Sequence, residues 1–146
     1  MKTHITGIDI PNTLIDLGAT INIMSKQTMN QLKLPNLQYT PTLLQLIDRS
    51  IIKPNGVLEY VFVSLDSWEY PIDFMILTPK NNLGGHPLIL GRPWLATTDA
   101  FISCRFDDMF IYDGTIYLTL LSLPHQKNVK NLQQRNSHYI LLQKQQ

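Results

Sequence analysis

Leu14-Ile15-Asp16-Leu17-Gly18-Ala19-Thr20-Ile21-Asn22-Ile23-Met24 sets one acid and one glycine between two apolar, β-prone runs. An ionised carboxylate among such neighbours is costly to desolvate, so Asp16 either faces a wet cleft or has a partner that alters its protonation. It is out of place in a plain core. Taken alone, an Asp-x-Gly triplet reads as a turn, and its meaning depends on what surrounds it.

Outward from this stretch, short runs rich in Ile, Val, Leu, Phe and Tyr are punctuated by Pro, Gly, Asn and Asp, the pattern of an all-β domain. The runs are Ile5 to Ile10, Thr13 to Asp16, Ile21 to Met24, Leu43 to Ile47, Val57 to Leu65, Tyr70 to Leu77, Leu88 to Leu90, Phe101 to Phe106 and Ile116 to Leu121. In Phe101 to Phe106, alternation puts Ile102, Cys104 and Phe106 on one face and Ser103 and Arg105 on the other, so Cys104 is expected to be a small core residue. Helix is expected in two short places. One is Ser25 to Leu34, with Ser25 as cap and Met24, Thr28, Met29 and Leu32 as the apolar stripe; the other is a turn after Gly91.

A second block, Pro87-Leu88-Ile89-Leu90-Gly91-Arg92-Pro93-Trp94-Leu95, runs an apolar strand into a glycine and a short helix, about seventy residues after Asp16. A third, Leu44-Gln45-Leu46-Ile47-Asp48-Arg49-Ser50 with Gly56 following, lies between them. With Leu14 to Thr20, these three blocks, in this order and spacing, resemble the retropepsin-like aspartic proteases of gypsy-type LTR retrotransposons. The plant elements whose active-site segment reads Asp-Leu-Gly-Ala-Ser are especially similar. The resemblance covers roughly Ile5 to Leu120.

The resemblance implies a closed, retropepsin-like β-barrel with one lobe per chain and one or two short helices. It implies that Asp16 is the catalytic acid and that Leu17, Gly18, Ala19 and Thr20 complete its loop. Leu43 to Leu58 would form a flap whose tip and substrate-binding residues are Ile47, Asp48, Arg49, Ser50 and Ile51. Ile89, Leu90 and Gly91 would support the active loop and its subsites. A hairpin with a polar tip can close over an extended peptide, exclude water and add main-chain hydrogen bonds. Side chains such as Ile47, Ile51, Ile52, Ile89 and Leu90 are expected to favour apolar residues around the scissile bond. Asp48 and Arg49 fit a turn-forming pair as well as a peptide contact.

Two acids that share a proton are needed for this chemistry, and the chain offers one good candidate. Asp113-Gly114-Thr115 has the wrong order and reads as a hairpin turn. The second Asp16 must therefore come from a second chain on a two-fold axis, making a homodimer that hydrolyses an extended peptide or polyprotein. Most of the family carries Ser or Thr after the catalytic acid, where a hydroxyl braces the two loops; here Leu17 cannot. The alternative is accordingly a catalytically decayed, dimeric peptide-binding module of the same fold.

At 146 residues, 44% apolar and 16% charged, the chain has material for one core and not for two domains. The net charge of +1 gives no reason to expect nucleic acid or a membrane surface as partner. The charge is uneven, because Lys127, Lys130, Arg135 and Lys144 lie beyond the last acid, Asp113; eight basic residues against 11 acids leave the body near −3. Residues 1–121 are expected to form the protease domain and 122–146 a polar, weakly ordered basic tail. One cysteine, and no secretory signal between Met1 and Ile10, point to a reducing, cytoplasmic setting. His4, His86, His125 and His138 lack ligand spacing, so no metal site is expected, and the resemblance implies no cofactor. Gly84-Gly85 reads as a loop, and Trp68 and Trp94 as packing anchors.

Overall fold

The computed structural model describes residues 3–46, 48–65, 68–78, 85–103, 105, 108–112, 117–122 and 143–144. Its strands are β1 (Thr3–Ile5), β2 (Ile8–Ile10), β3 (Leu14–Ile15), β4 (Ile23–Ser25), β5 (Leu44–Gln45), β6 (Ile51–Ile52), β7 (Gly56–Leu65), β8 (Trp68–Leu77), β9 (Leu88–Leu90), β10 (Phe101–Ser103), β11 (Asp108–Tyr112), β12 (Tyr117–Ser122) and β13 (Gln143–Lys144). Two short helices, α1 (Lys26–Gln31) and α2 (Arg92–Thr97), complete the described elements. Ile47, Cys104, Phe106, Gly84, Asp113 to Thr115, His125, His138 and nearly all of the expected tail lie outside the described residues.

Seven strands form one curled, half-barrel sheet in the order β2-β1-β7-β8-β4-β9-β3. Its spine is the β7–β8 ladder, in register from Gly56 with Ile76 to Leu65 with Trp68. On β8 the alternation is regular, and Ile72, Phe74 and Ile76 all point into the core. On β7 the inward set changes phase, from Leu58 to Val61, Val63 and Leu65. A bulge between Leu58 and Val61 supplies the extra residue, with Tyr60 in the left-handed region at φ +55°. The main core gathers these side chains with Ile5, Met24, Met29, Leu88, Leu90, Trp94, Met109 and Ile111.

The remaining strands form two three-stranded sheets, β10-β11-β12 and β13-β5-β6. Ser25 caps α1 by accepting the Thr28 N–H at 3.1 Å, as its position suggested. Trp94 is fully buried in α2, with its indole N–H unpartnered among the described residues.

Three local expectations need correction. Ile5 to Ile10 is a hairpin rather than one strand, because Thr6 (φ +52°) and Gly7 (φ +76°) make a two-residue left-handed turn that pairs Ile5 with Ile8. Ile102 is exposed on β10, whereas Met109 and Ile111 of the neighbouring β11 are buried. The flap ladder is shorter than Leu43 to Leu58, since Gly56 already begins β7. A Cβ on Gly56 would lie 2.4 Å from the Gln38 carbonyl oxygen, so that segment packs too closely to belong to a free hairpin.

Candidate active site

β3 places Asp16. Its two residues run parallel to β9, Leu14 beside Ile89 and Ile15 beside Leu90. The Asp16 N–H extends that ladder by donating to the Leu90 carbonyl at 2.9 Å. The chain then turns sharply, with the Ala19 N–H on the Asp16 carbonyl at 3.2 Å and the Gly18 N–H on Asp16 Oδ1 at 2.8 Å. Asp16 is 6% exposed, so its carboxylate is nearly desolvated and one oxygen is oriented by a backbone donor.

The floor of the loop is α2 and the end of β9. The Arg92 N–H donates to the Ala19 carbonyl at 2.9 Å, and the Gly91 N–H donates to Asn22 Oδ1 at 2.8 Å. A Cβ on Gly91 would meet the Ile21 carbonyl oxygen at 2.4 Å and the Ala19 carbonyl oxygen at 2.7 Å. Gly91 has φ −96°, so the requirement for glycine here is close backbone approach, not a left-handed conformation.

Asn22 is the positioning residue that the sequence reading passed over. It is buried; its Nδ2 donates to the Asp73 carbonyl at 3.2 Å and its own carbonyl accepts the Met75 N–H at 2.9 Å. One carboxamide thus ties the loop after Asp16 to both β9 and β8. The signal was present: a polar amide between Ile21 and Ile23 must find partners when buried.

β5 and β6 form the expected hairpin, with Leu44 opposite Ile52 and Gln45 opposite Ile51. At its tip the Leu46 N–H bonds the Ser50 carbonyl and the Arg49 N–H bonds the Leu46 carbonyl, both at 2.9 Å. Arg49 is left-handed at φ +65°, and Asp48 Oδ1 accepts from both the Ser50 hydroxyl and the Ser50 N–H. Those bonds, the hydroxyl first, hold the exposed Asp48 carboxyl below its ordinary value. Within the hairpin, Asp48 and Arg49 therefore act as turn formers.

The base of the β5–β6 hairpin and the loop after Asp16 share one apolar cluster, in which buried Ala19, Ile23, Leu44, Leu77 and Ile89 pack with Leu46 and Ile52. This cluster holds the β5–β6 hairpin to the Asp16 side of the sheet. Ile51 is 57% exposed and Leu17 56% exposed, while Gly18 and Thr20 are half-buried. Ile89 and Leu90 are both buried. Their expected lining of peptide subsites is corrected accordingly: Ile89 packs beneath the flap, Leu90 joins the main core, and the Leu90 carbonyl holds Asp16.

The other carboxylates with described partners are committed elsewhere. Asp9 pairs with His4 at 2.6 Å, Asp73 Oδ1 accepts the Tyr60 N–H at 2.9 Å, Glu59 Oε2 accepts from Gln38 Nε2 at 3.2 Å, and Glu69 Oε1 accepts the Ser64 hydroxyl at 3.0 Å. Among the described residues, no group of three or more His, Cys, Asp or Glu side chains is arranged to hold a metal ion. No described helix is long and apolar enough to cross a membrane.

No protein-family model and no curated protein matches this chain. Among solved structures it is similar to the retroviral protease-like domain of Ddi1 from Leishmania major, with a TM-score of 0.58 and 19% identity, over 87% of this chain and 94% of that one. At that identity the likeness is one of architecture, and the curled seven-stranded sheet with two short helices fits an all-β, retropepsin-like fold.

Proposed function

We propose that this chain is an aspartic endopeptidase of gypsy-type retrotransposon origin, which cleaves extended polyprotein segments with two Asp16 carboxylates contributed by two copies of the chain. The observation that carries the reading is the setting of Asp16: nearly buried at the end of β3, with one carboxylate oxygen fixed by the Gly18 N–H. The exposed turn aspartate Asp48 accepts the same kind of bond from Ser50, so it is the burial of Asp16 that sets it apart.

In this mechanism one carboxylate takes a proton from water as the water oxygen attacks the scissile carbonyl carbon. The other donates its proton to the carbonyl oxygen. Collapse of the tetrahedral intermediate then passes a proton to the leaving amine. Two acids held close together keep one proton between them, so each is ready for one half of the exchange. A two-fold axis supplies the second acid without a second motif in the chain. The flap closes over the peptide, with Ile51 and Ile52 favouring apolar side chains beside the scissile bond. The scheme uses no cofactor, and the single cysteine suits a reducing, cytoplasmic setting.

Leu17 supports a second reading. Its side chain stands 56% exposed where a hydroxyl would brace the paired loops, and a looser pair would leave a dimeric peptide-binding module without hydrolysis. Cleavage of an apolar-rich unfolded peptide at mildly acidic pH, together with binding of a pepstatin-type inhibitor, separates the two. The protease reading predicts both for the wild type and neither for Asp16→Asn. Peptide binding without cleavage or inhibitor binding selects the module, and unchanged cleavage by Asp16→Asn overturns the assignment.

A further inference from the structure

Tyr60 is costly where it stands. A bulge is needed between Leu58 and Val61 to keep both inside, but the left-handed residue of a bulge suits Gly or Asn far better than an aromatic. The residue recovers little by burial, since it is 73% exposed. Its backbone is nonetheless pinned by the Asp73 carboxylate on the Tyr60 N–H. Two positions on, Phe62 is 56% exposed and lies in register with Pro71 of β8, so the outer face of the hairpin carries an aromatic ridge.

Hollows flank this ridge on both sides. One, of about 650 Å³, runs between the Thr6-Gly7 turn, Leu34 to Asn36 and the hairpin; Leu34, Leu58 and Val61 give it apolar lining. The other, of about 420 Å³, lies between Tyr60, Ile21, Pro71, Met75 and Pro93. Both fall within the size range of small binding clefts, roughly 300–1,000 Å³. Glu59 and Glu69 line the first and Asp73 the second, and no Lys, Arg or His is among the described residues lining either. β7 stands four strands from β3 in the sheet order, and neither hollow is lined by Asp16 or the flap.

We propose that this face docks a basic, apolar-anchored peptide segment of another protein, with its Lys or Arg side chains over the Tyr60 and Phe62 rings and beside Glu59, Glu69 and Asp73. Apolar side chains would fill the flanking hollows. Cations are attracted to aromatic faces, and nearby carboxylates add to that attraction. The same charges disfavour nucleic acid and anionic lipid. The proposal uses none of the residues of the proposed dyad, so either can fail without the other.

The test uses the full chain in an Asp16→Asn background and a fluorescein-labelled peptide, Lys-Leu-Pro-Phe-Arg-Leu-Lys, with a counterpart in which each base is Glu. Anisotropy gives the affinity, and amide NMR shifts locate the site. Tyr60→Gly removes the ring and suits the left-handed backbone, so it is expected to weaken binding at least tenfold while thermal stability is kept or raised. Glu59→Gln with Glu69→Gln is expected to weaken binding several-fold and to flatten its salt dependence. Shifts are expected at Tyr60, Val61 and Glu69. Absence of binding, equal binding of the acidic counterpart, an unchanged affinity in Tyr60→Gly, or shifts confined to the flap would each overturn the proposal.

Discussion

Gly91→Ala tests how the active loop is held. The added methyl would sit 2.4 Å from the Ile21 carbonyl oxygen and 2.7 Å from the Ala19 carbonyl oxygen, where ordinary contact begins at 3.4 Å. Both obstacles are backbone atoms of the loop, so no side-chain rotation relieves them; the loop must retreat by about 1 Å. That retreat stretches the Arg92–Ala19 and Asp16–Leu90 hydrogen bonds. Overpacking of this kind costs about 1–3 kcal/mol, and each of the two strained hydrogen bonds about 1 kcal/mol more, for a total of about 3–5 kcal/mol. For a chain of this size that lowers the melting temperature by roughly 10–15 °C. Gly7→Ala is the control: nothing lies within 4 Å of its Cβ position, so only left-handed strain of about 1–2 kcal/mol applies. Thermal and urea unfolding measure both variants, and inhibitor binding reports the loop. A Gly91→Ala melting temperature within 2 °C of wild type, with inhibitor binding intact, would refute the reasoning.

Two further outcomes follow from the same geometry. Asn22→Ala leaves the Gly91 N–H and the Asp73 carbonyl without their partner, which should cost about 2–4 kcal/mol in urea unfolding; a loss under about 0.5 kcal/mol would mean the carboxamide holds nothing. Asp48 is an acid whose folded-state value is depressed by Ser50, so its contribution to the flap turn is present above the ordinary 3.8 and is lost as pH falls through the lower folded value. An NMR titration of its carboxyl carbon should therefore have a midpoint below 3.8, and a midpoint at or above that value would contradict the turn geometry.

Local chemistry made much of this fold readable. β9 matches its apolar run residue for residue, Ser25 caps α1, and Asp48 and Ser50 shape a polar turn between two apolar strands. What escaped depends on partners distant in sequence. The Ile5 to Ile10 run looks continuous, and only the left-handed pair Thr6 and Gly7 divides it. β11 (Asp108–Tyr112) is not among the runs expected to be strands, and its place is set by pairing with β10 and β12. The phase change at Tyr60 breaks the alternation by a single residue, which a period-two pattern cannot anticipate. Ile89 and Leu90 lie beside the site, yet their side chains face the two apolar clusters and only backbone is left for Asp16. Asn22 is the clearest lesson, because its importance lies in Gly91 and Asp73, 69 and 51 residues away.

A mixing experiment bears most directly on the shared carboxylate pair. Wild-type chain is held at a fixed concentration, well above that needed for assembly, and Asp16→Asn chain is added and allowed to exchange before peptide cleavage is measured. If each site takes one Asp16 from each of two chains, mixed pairs are inactive; the rate falls to about one half at equal amounts and about one quarter at a threefold excess. A rate that stays constant as the variant is added would contradict the two-chain site.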